Sequence, residues 1–240
     1  MSGFIDGPVL GIETTGTLTG AALFREGRLV AESSVDIRAG SAERLLEIIQ
    51  GQLRAHDLDV SDLARIGVAQ GPGSFTGLRV GLAAARGLGW GADVPLVAVP
   101  SHQALAWPWR DLGRTLVILT GARRGQVFFE AGRWGGDWWQ VRREAASIPL
   151  AEAADEVVRL PESGRLLFTG EAVEAVCELH PRLCALGSRV HDGAGASRRP
   201  AAVAALAARR EALELRGPEL DRLEPLYLRA ADARLPGTTG

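Results

Sequence analysis

Two stretches of this chain repeat one order of secondary structure, and this repeat constrains the fold more than any other feature. In the first stretch, three short apolar runs are joined by tight turns, so they predict three antiparallel strands. The strand, helix, strand succession that follows requires parallel pairing. We therefore predict the order β-β-β-α-β-α-β-α up to residue 107. Its first seven elements lie at residues 9–12, 21–24, 29–35, 41–55, 66–69, 75–90 and 96–99.

The second stretch begins the same order again with shortened parts. It predicts strands at 116–119, 126–130, 138–142 and 166–169, and helices at 150–160 and 201–216. We place a boundary at Pro108, which gives an N-terminal lobe (1–107), a reduced C-terminal lobe (108–223) and a C-terminal tail (224–240). Two related α/β halves of this kind are the layout of the actin, hexokinase and Hsp70-like fold.

The charge balance argues against nucleic-acid binding by this chain alone. The 240 residues carry a net charge of -2 and a sequence pI near 6.1, whereas a protein that holds nucleic acid by itself usually has a basic surplus. No apolar run approaches the roughly 18–20 residues that span a bilayer. Residues 1–8 lack the basic and then apolar order of a signal peptide. We expect a cytoplasmic protein without membrane association.

Residues 71–81, Gly-Pro-Gly-Ser-Phe-Thr-Gly-Leu-Arg-Val-Gly, form the most unusual motif of the chain. A glycine-bearing turn between a strand and a helix N-terminus directs free backbone N–H groups outward and suits an anion. The motif is not a P-loop, because no Gly-Lys-Ser/Thr follows, and it does not have the Gly-x-Gly-x-x-Gly spacing. The alternative is a tight strand-to-helix turn that Ser74 caps.

The helix after this motif has small residues at every fourth position, namely Gly77, Gly81, Ala85 and Gly89. Glycine inside a helix costs up to about 1 kcal/mol relative to alanine, so this face predicts close approach by another backbone. A helix with so much apolar surface is buried on more than one side. One side faces its own sheet, and the other faces either an internal helix or another chain.

Four segments of the chain together resemble the TsaB family, also called YeaZ. They follow the family's order at about its spacing, and they are residues 10–15, 71–81, 122–127 and 224–229. The resemblance is dense over residues 9–130 and sparse from there to 223. Its specific part is the string Gly-Pro-Gly-Ser-Phe-Thr-Gly-Leu-Arg.

The resemblance implies an actin-like fold and a role in forming threonylcarbamoyladenosine in tRNA. The chain would be a non-catalytic subunit that binds and activates a catalytic paralogue, TsaD, with an ATPase, TsaE, joining them and tRNA held only indirectly. A homodimer would replace this pair when the chain is alone, and ATP and metal are expected only in the partner complex. In the family the first two helices make the contact, here residues 41–55 and 75–90. The interface residues that we expect on them are Leu45, Leu46, Ile49, Leu53, Leu78, Gly81, Leu82 and Ala85.

Four residues would lie near a nucleotide if the chain binds one: Glu13, Thr14, Gly73 and Ser74. Glu13 ends the first strand, where actin-like ATPases keep a carboxylate for magnesium. The alternative is a carboxylate that accepts backbone N–H groups at the strand-end turn. The family has Asp at position 13, and it has His, Asp and Glu where Gly40, Gly121 and Gln126 stand here. A phosphate-binding lysine is also missing, which favours the non-catalytic subunit. An independent actin-like ATPase or kinase is the alternative function.

The sequence predicts neither a metal site nor catalytic residues. The catalytic paralogue holds its metal with two histidines one helical turn apart, and no histidine here has a partner at that spacing; the four are His56, His102, His180 and His191. Cys177 and Cys184 lack zinc-knuckle spacing, and we expect thiols without a role. A metallopeptidase, the third hypothesis, therefore has no residues to support it.

Two clusters in the second half have a structural and a functional interpretation. A hairpin turn at residues 135–137 is flanked by three tryptophans, Trp134, Trp138 and Trp139. These side chains either stack a nucleic-acid base or form a cross-strand aromatic cluster, and we favour the cluster. Four arginines form either a solvated face or an aid to tRNA binding in the complex. They are Arg123, Arg124, Arg142 and Arg143.

Overall fold

The first half of the chain has the predicted order of elements. The computed structural model describes residues 3–36, 41–121, 125–160, 166–183, 187–189 and 198–228. The five strands of this half are β1 (Pro8–Glu13), β2 (Leu18–Arg25), β3 (Arg28–Asp36), β4 (Arg65–Gly71) and β5 (Leu96–Pro100). Its three helices are α1 (Ser41–Ala55), α2 (Phe75–Ala92) and α3 (Ser101–Ala106).

The second half repeats the strands with much shorter helices. Its strands are β6 (Thr115–Gly121), β7 (Gln126–Gly135), β8 (Trp138–Pro149), β9 (Leu166–Thr169) and β10 (Gly187–Arg189). The helices are α4 (Ala153–Val158), α5 (Val173–Leu179) and α6 (Pro200–Ala207). The helix predicted at residues 150–160 divides into a 3-10 turn at Leu150–Glu152 and α4. Neither β10 nor α5 was predicted from the sequence.

The two sheets have the same strand order, which confirms the two related halves. The first runs β3-β2-β1-β4-β5 and the second runs β8-β7-β6-β9-β10. In each sheet the first three strands in sequence form an antiparallel meander, and the remaining two pair in parallel. The parallel strands end at one edge of each sheet, and this edge is where α/β proteins place ligand sites.

Alternating residues of β1 show how the first sheet is buried on both faces. Leu10 and Ile12 join a core with α1 and α2, while Val9 joins a second core with α3 and α6 that also contains residues of the second sheet. A Cβ atom at Gly11 would lie 2.4 Å from the Ala204 backbone nitrogen, so glycine lets the alanine-rich α6 approach closely. A third core lies between the second sheet and α4 and α5.

The C-terminal segment returns to the first half, which corrects the predicted boundaries. Residues 198–223 were assigned to the second lobe and 224–228 to a separate tail, yet α6 packs on β1, β2 and β4. The predicted helix over 201–216 ends at Ala207, because Leu215 instead exchanges two backbone hydrogen bonds of 2.8 and 3.0 Å with Leu96. Tertiary pairing here overrides helix propensity. Among the described residues, no helix is long and apolar enough to span a membrane.

Candidate functional site

The carboxyl ends of the parallel strands in both sheets meet in one crevice. The first half contributes residues 13–15 at the end of β1, the loop 71–74 at the end of β4 and Ser101 after β5. The Ser101 hydroxyl accepts a hydrogen bond from the Gly71 backbone N–H at 3.0 Å and lies 3.2 Å from the Thr15 hydroxyl oxygen. The second half contributes Glu171, which follows β9 and accepts from the Gly121 N–H at 3.1 Å.

Glu13 lies at the centre of this crevice with one carboxylate oxygen satisfied. Its Oε1 accepts hydrogen bonds from the Thr15 N–H at 2.6 Å and the Thr15 hydroxyl at 2.5 Å, which confirms the strand-end turn that was the alternative to a magnesium ligand. Its Oε2 is buried without a hydrogen-bond partner. Burial raises the pKa of Glu13, and the nearby Arg198 and the hydrogen bonds from Thr15 offset only part of this rise.

Thr14 fixes helix α2 against the crevice. Its buried hydroxyl donates to the Gly77 carbonyl at 2.7 Å. A Cβ atom at Gly77 would lie 1.9 Å from the Thr14 carbonyl oxygen, and one at Gly81 would lie 2.3 Å from the Thr14 hydroxyl oxygen. Further along the helix, a Cβ atom at Gly89 would lie 3.0 Å from Leu96. The backbone that approaches the small-residue face of α2 therefore belongs to this chain.

The loop 71–74 directs its polar groups differently from an anion-binding loop. The Gly71 and Ser74 N–H groups donate to Ser101 and to the Thr15 carbonyl within the chain, and Pro72 has no N–H. The Ser74 hydroxyl accepts from the Gly77 N–H at 3.2 Å, which confirms the predicted N-cap. The Pro72 carbonyl points to a cation, the guanidinium of Arg198, at 2.7 Å.

Arg198 fills the space between the two halves. Its side chain is 3% exposed, and its Nη1 lies 3.1 Å from the Thr15 carbonyl and 2.6 Å from the Thr15 hydroxyl oxygen. Its Nη2 lies 3.4 Å from a carboxylate oxygen of Glu171. A Cβ atom at Gly73 would lie 2.4 Å from Nη1, so the guanidinium occupies the volume that a side chain there would need.

A second buried polar group joins the two halves away from Arg198. His102 is fully buried on α3, with Nδ1 3.0 Å from Glu130 Oε2 and Nε2 3.0 Å from the Thr120 hydroxyl. The other Glu130 oxygen accepts from the Trp139 indole N–H at 2.7 Å. Both ring nitrogens of this histidine are therefore used between α3 and the strands β6 and β7.

The predicted nucleotide-proximal residues lie together, whereas the predicted interface residues do not form a surface. Glu13, Thr14, Gly73 and Ser74 all line the crevice around Arg198 and Thr15. Seven of the eight predicted interface residues are buried inside the chain, which corrects that prediction; they are Leu45, Ile49, Leu53, Leu78, Gly81, Leu82 and Ala85. Only Leu46, at 42%, is exposed.

The aromatic cluster is structural, as the favoured interpretation predicted. Trp134 and Trp139 face each other across β7 and β8 with ring centroids 5.3 Å apart, and Trp107 packs on Trp134 at 5.2 Å. Trp138 is exposed at the hairpin. In the predicted basic group, Arg143 pairs with Glu156 at 2.6 Å, while Arg123 and Arg124 lie outside the described residues.

The two most distinctive motifs meet at the N-terminus of α2. The Leu226 N–H donates to the Gln70 carbonyl at 2.8 Å, and the Tyr227 ring lies 5.0 Å from the Phe75 ring. The Arg79 guanidinium stacks on Phe75 at 4.0 Å. Residues 224–228 are thus held against the loop and helix of the first motif, while Arg229 lies outside the described residues.

Within the described part of the chain, no group of three or more His, Cys, Asp or Glu residues is arranged to hold a metal ion. Cys177 is disulfide-bonded, so the expectation of a thiol is wrong for this residue. The sequence did not identify Arg198, Glu171 or Ser101 as site residues. Arg198 falls in a stretch that reads as loop, and only the structure brings it 183 positions back to Thr15.

The chain is similar in sequence to known proteins over most of its length. The family model described as TsaD, tRNA N6-adenosine threonylcarbamoyltransferase, matches residues 37–233. The tRNA threonylcarbamoyladenosine biosynthesis protein TsaB of Bacillus subtilis is 31% identical over 230 residues, which cover 94% of this chain and 95% of that protein.

Two solved structures share the fold. YeaZ from Pseudomonas aeruginosa superposes with a TM-score of 0.76 and 22% identity, over 92% of this chain and 100% of that chain. Component A of (R)-2-hydroxyglutaryl-CoA dehydratase from Acidaminococcus fermentans gives a TM-score of 0.50 and 14% identity, over 85% of this chain and 98% of that chain. Together with the duplicated strand order, these likenesses confirm the predicted actin/hexokinase/Hsp70-like fold.

Proposed function

The chain belongs to the TsaB (YeaZ) family, and we propose that it is a non-catalytic subunit that binds and activates a TsaD-type transferase in the formation of threonylcarbamoyladenosine in tRNA. Its relatives are named for this biosynthesis, and the chain spans nearly the whole length of the Bacillus subtilis protein. The subunit then acts by binding and activating the transferase.

The position of the Arg198 side chain in the crevice is the observation that best supports the non-catalytic role. In an actin-like fold, a nucleotide and its metal would use the crevice between the halves. Here a buried guanidinium occupies the space beside Gly73 and Thr15, and the N–H groups of Gly71 and Ser74 are used inside the chain. A phosphate would have to displace Arg198 and approach the buried carboxylate of Glu13. This arrangement supports a subunit that takes ATP and metal only within the partner complex.

The outer face of α1 and α2 is the surface that we assign to the partner. The two helices lie side by side on one face of the first sheet, and they are 15 and 18 residues long, whereas α4 and α5 have six and seven. Opposite the buried face of α2, the exposed residues include Ala83 and Gly87, and no atom lies within 4 Å of a Cβ built at Gly87. Leu46 and Trp90, 42% and 56% exposed, add apolar area. A transferase paralogue, or a second copy of the chain, can pack closely there.

We assign contact with tRNA to the transferase partner. We assign ATP turnover to a TsaE-type ATPase. The net charge of -2 supports this division, because phosphate contacts require a basic surface. Arg143 and Arg209, which lie toward the second half, are already paired with Glu156 and Asp137.

Reconstitution tests the proposal. The chain, a TsaD-type transferase and a TsaE-type ATPase are mixed with tRNA, ATP and threonylcarbamoyl-adenylate, and each protein is omitted in turn. We expect modified adenosine only when the transferase and this chain are both present, and none from this chain alone. Product from the chain alone, or full transferase activity without it, contradicts the proposal. Turnover of ATP by the isolated chain would support the independent ATPase instead.

A further inference from the structure

We propose that the crevice of this chain is a guanidinium-binding site, and that the chain fills it in cis with its own Arg198. The proposal concerns the chain by itself and stands whether or not the proposed partner role is correct. Its ligand class follows from the shape, the charge and the polar groups of the space around Arg198.

The acceptors around this side chain lie at two of the three guanidinium nitrogens. Nη1 has the Thr15 carbonyl, the Thr15 hydroxyl and the Pro72 carbonyl within 2.6–3.1 Å, and Nη2 lies 3.4 Å from Glu171, whereas Nε is buried without a hydrogen-bond partner. A guanidinium holds its donors in one plane and reaches both sets of acceptors at once, whereas an ammonium is a compact point charge that reaches one set. The site therefore favours guanidinium.

The charges select a cation and oppose an anion. Glu13 is buried beside Arg198 with its Oε2 unpartnered, and Glu171 lies on the far side of the guanidinium. The positive charge of Arg198 favours the ionised form of Glu13, although burial raises the pKa of this carboxyl overall. The loop 71–74 resembles a phosphate loop in sequence, but it offers the Pro72 carbonyl to this space. The loop 71–74, whose sequence is typical of an anion-binding turn, thus binds the Arg198 guanidinium, a cation.

Two glycines make room for the bound group. A Cβ atom at Gly73 would lie 2.4 Å from Nη1, and one at Gly16 would lie 3.2 Å from the Arg198 Cδ. The ligand also touches both halves, since Thr15 and Pro72 follow β1 and β4 of the first sheet, and Glu171 follows β9 of the second. The bound guanidinium therefore holds the two halves in one arrangement.

Chemical rescue of Arg198→Ala tests this site. Removing one partner of a buried ionic cluster leaves the other uncompensated, so we expect the melting temperature to fall by on the order of 10 °C. Ethylguanidinium at about 20 mM should restore a large part of this loss, and the recovery should rise with the logarithm of its concentration, as for a ligand that binds only the folded state. Ethylammonium at the same concentration is the matched cation without the planar fork.

Arg209→Ala is the control variant. Arg209 is also buried and paired, with Asp137 and Glu211, but it lies over Trp107 outside the crevice. Ethylguanidinium should leave its melting temperature unrestored. If Arg198→Ala is obtained only unfolded, refolding yields with the two compounds are compared instead. Equal effects of ethylguanidinium and ethylammonium, or equal rescue of Arg209→Ala, would overturn the proposal.

Discussion

Glu13 is the residue whose environment differs most from that of an ordinary surface carboxylate. Burial raises its pKa above the usual value near 4.5, and Arg198 and the hydrogen bonds from Thr15 only partly oppose this. The folded state therefore binds a proton at Glu13 more tightly than the unfolded state. The stabilising effect of this proton is fully present below about pH 4.5 and is lost as the pH rises through the folded-state pKa.

Replacing Glu13 with glutamine removes this titration. As the pH is lowered from neutral toward 4.5, the free energy of unfolding of the wild type should therefore rise relative to that of Glu13→Gln. Urea unfolding of both proteins over a pH series measures the difference, in which the other titrating groups cancel.

Glu156→Gln is the control of opposite sign. The hydrogen bond from Arg143 lowers the pKa of Glu156, so its stabilisation is present above the ordinary pKa and is lost as the pH falls through the folded-state value. A difference between wild type and Glu13→Gln that does not change with pH would show that the Glu13 pKa is unshifted.

At the scale of elements, helix α2 carries two kinds of glycine that the sequence does not distinguish. Gly77 and Gly81 face the Thr14 backbone and hydroxyl, whereas a Cβ atom at Gly87 has no atom within 4 Å. Arginine at Gly81 or Ala85 is expected to unfold the chain, because both positions are buried inside it.

Gly77→Ala and Gly87→Ala form a matched pair on this helix. Alanine at position 87 should stabilise by roughly 0.5–1 kcal/mol through helix propensity alone. At position 77 the same gain is outweighed, because a Cβ atom 1.9 Å from the Thr14 carbonyl must displace the backbone, and overpacking of this kind costs about 1–3 kcal/mol. Thermal unfolding of both variants measures the difference. Equal shifts would mean that α2 does not rest on Thr14.

The predictable part of the fold comes from local patterns. Apolar spacing and turn residues act over a few positions. They predict the bounds of α1 and β9, the hairpin before Trp138 and the cap at Ser74. Local patterns do not predict the length of α6, because Leu215 pairs with Leu96 far away in sequence. The site was predicted on the same local basis, so Glu13 and Ser74 were found while Arg198 was not.

The two halves of the molecule share a strand order and differ in their helices. Their shared core and the polar links through Arg198 and His102 join them into one structure. The first half adds a layer of two long helices whose inner faces are buried in the chain. We therefore assign the proposed partner contact to their outer faces, and chiefly to that of α2.

Calorimetric titration of this chain with a TsaD-type transferase measures the affinity of the proposed pair. Ala83→Arg places a charge on the exposed face of α2, and Val158→Arg places the same charge on α4 of the second half, where Val158 is 70% exposed. Both variants should melt near the wild type. We predict that Ala83→Arg weakens pairing at least about tenfold, equivalent to about 1.4 kcal/mol, and that Val158→Arg pairs normally. Normal pairing of a folded Ala83→Arg variant would show that the outer face of α2 does not bind the transferase.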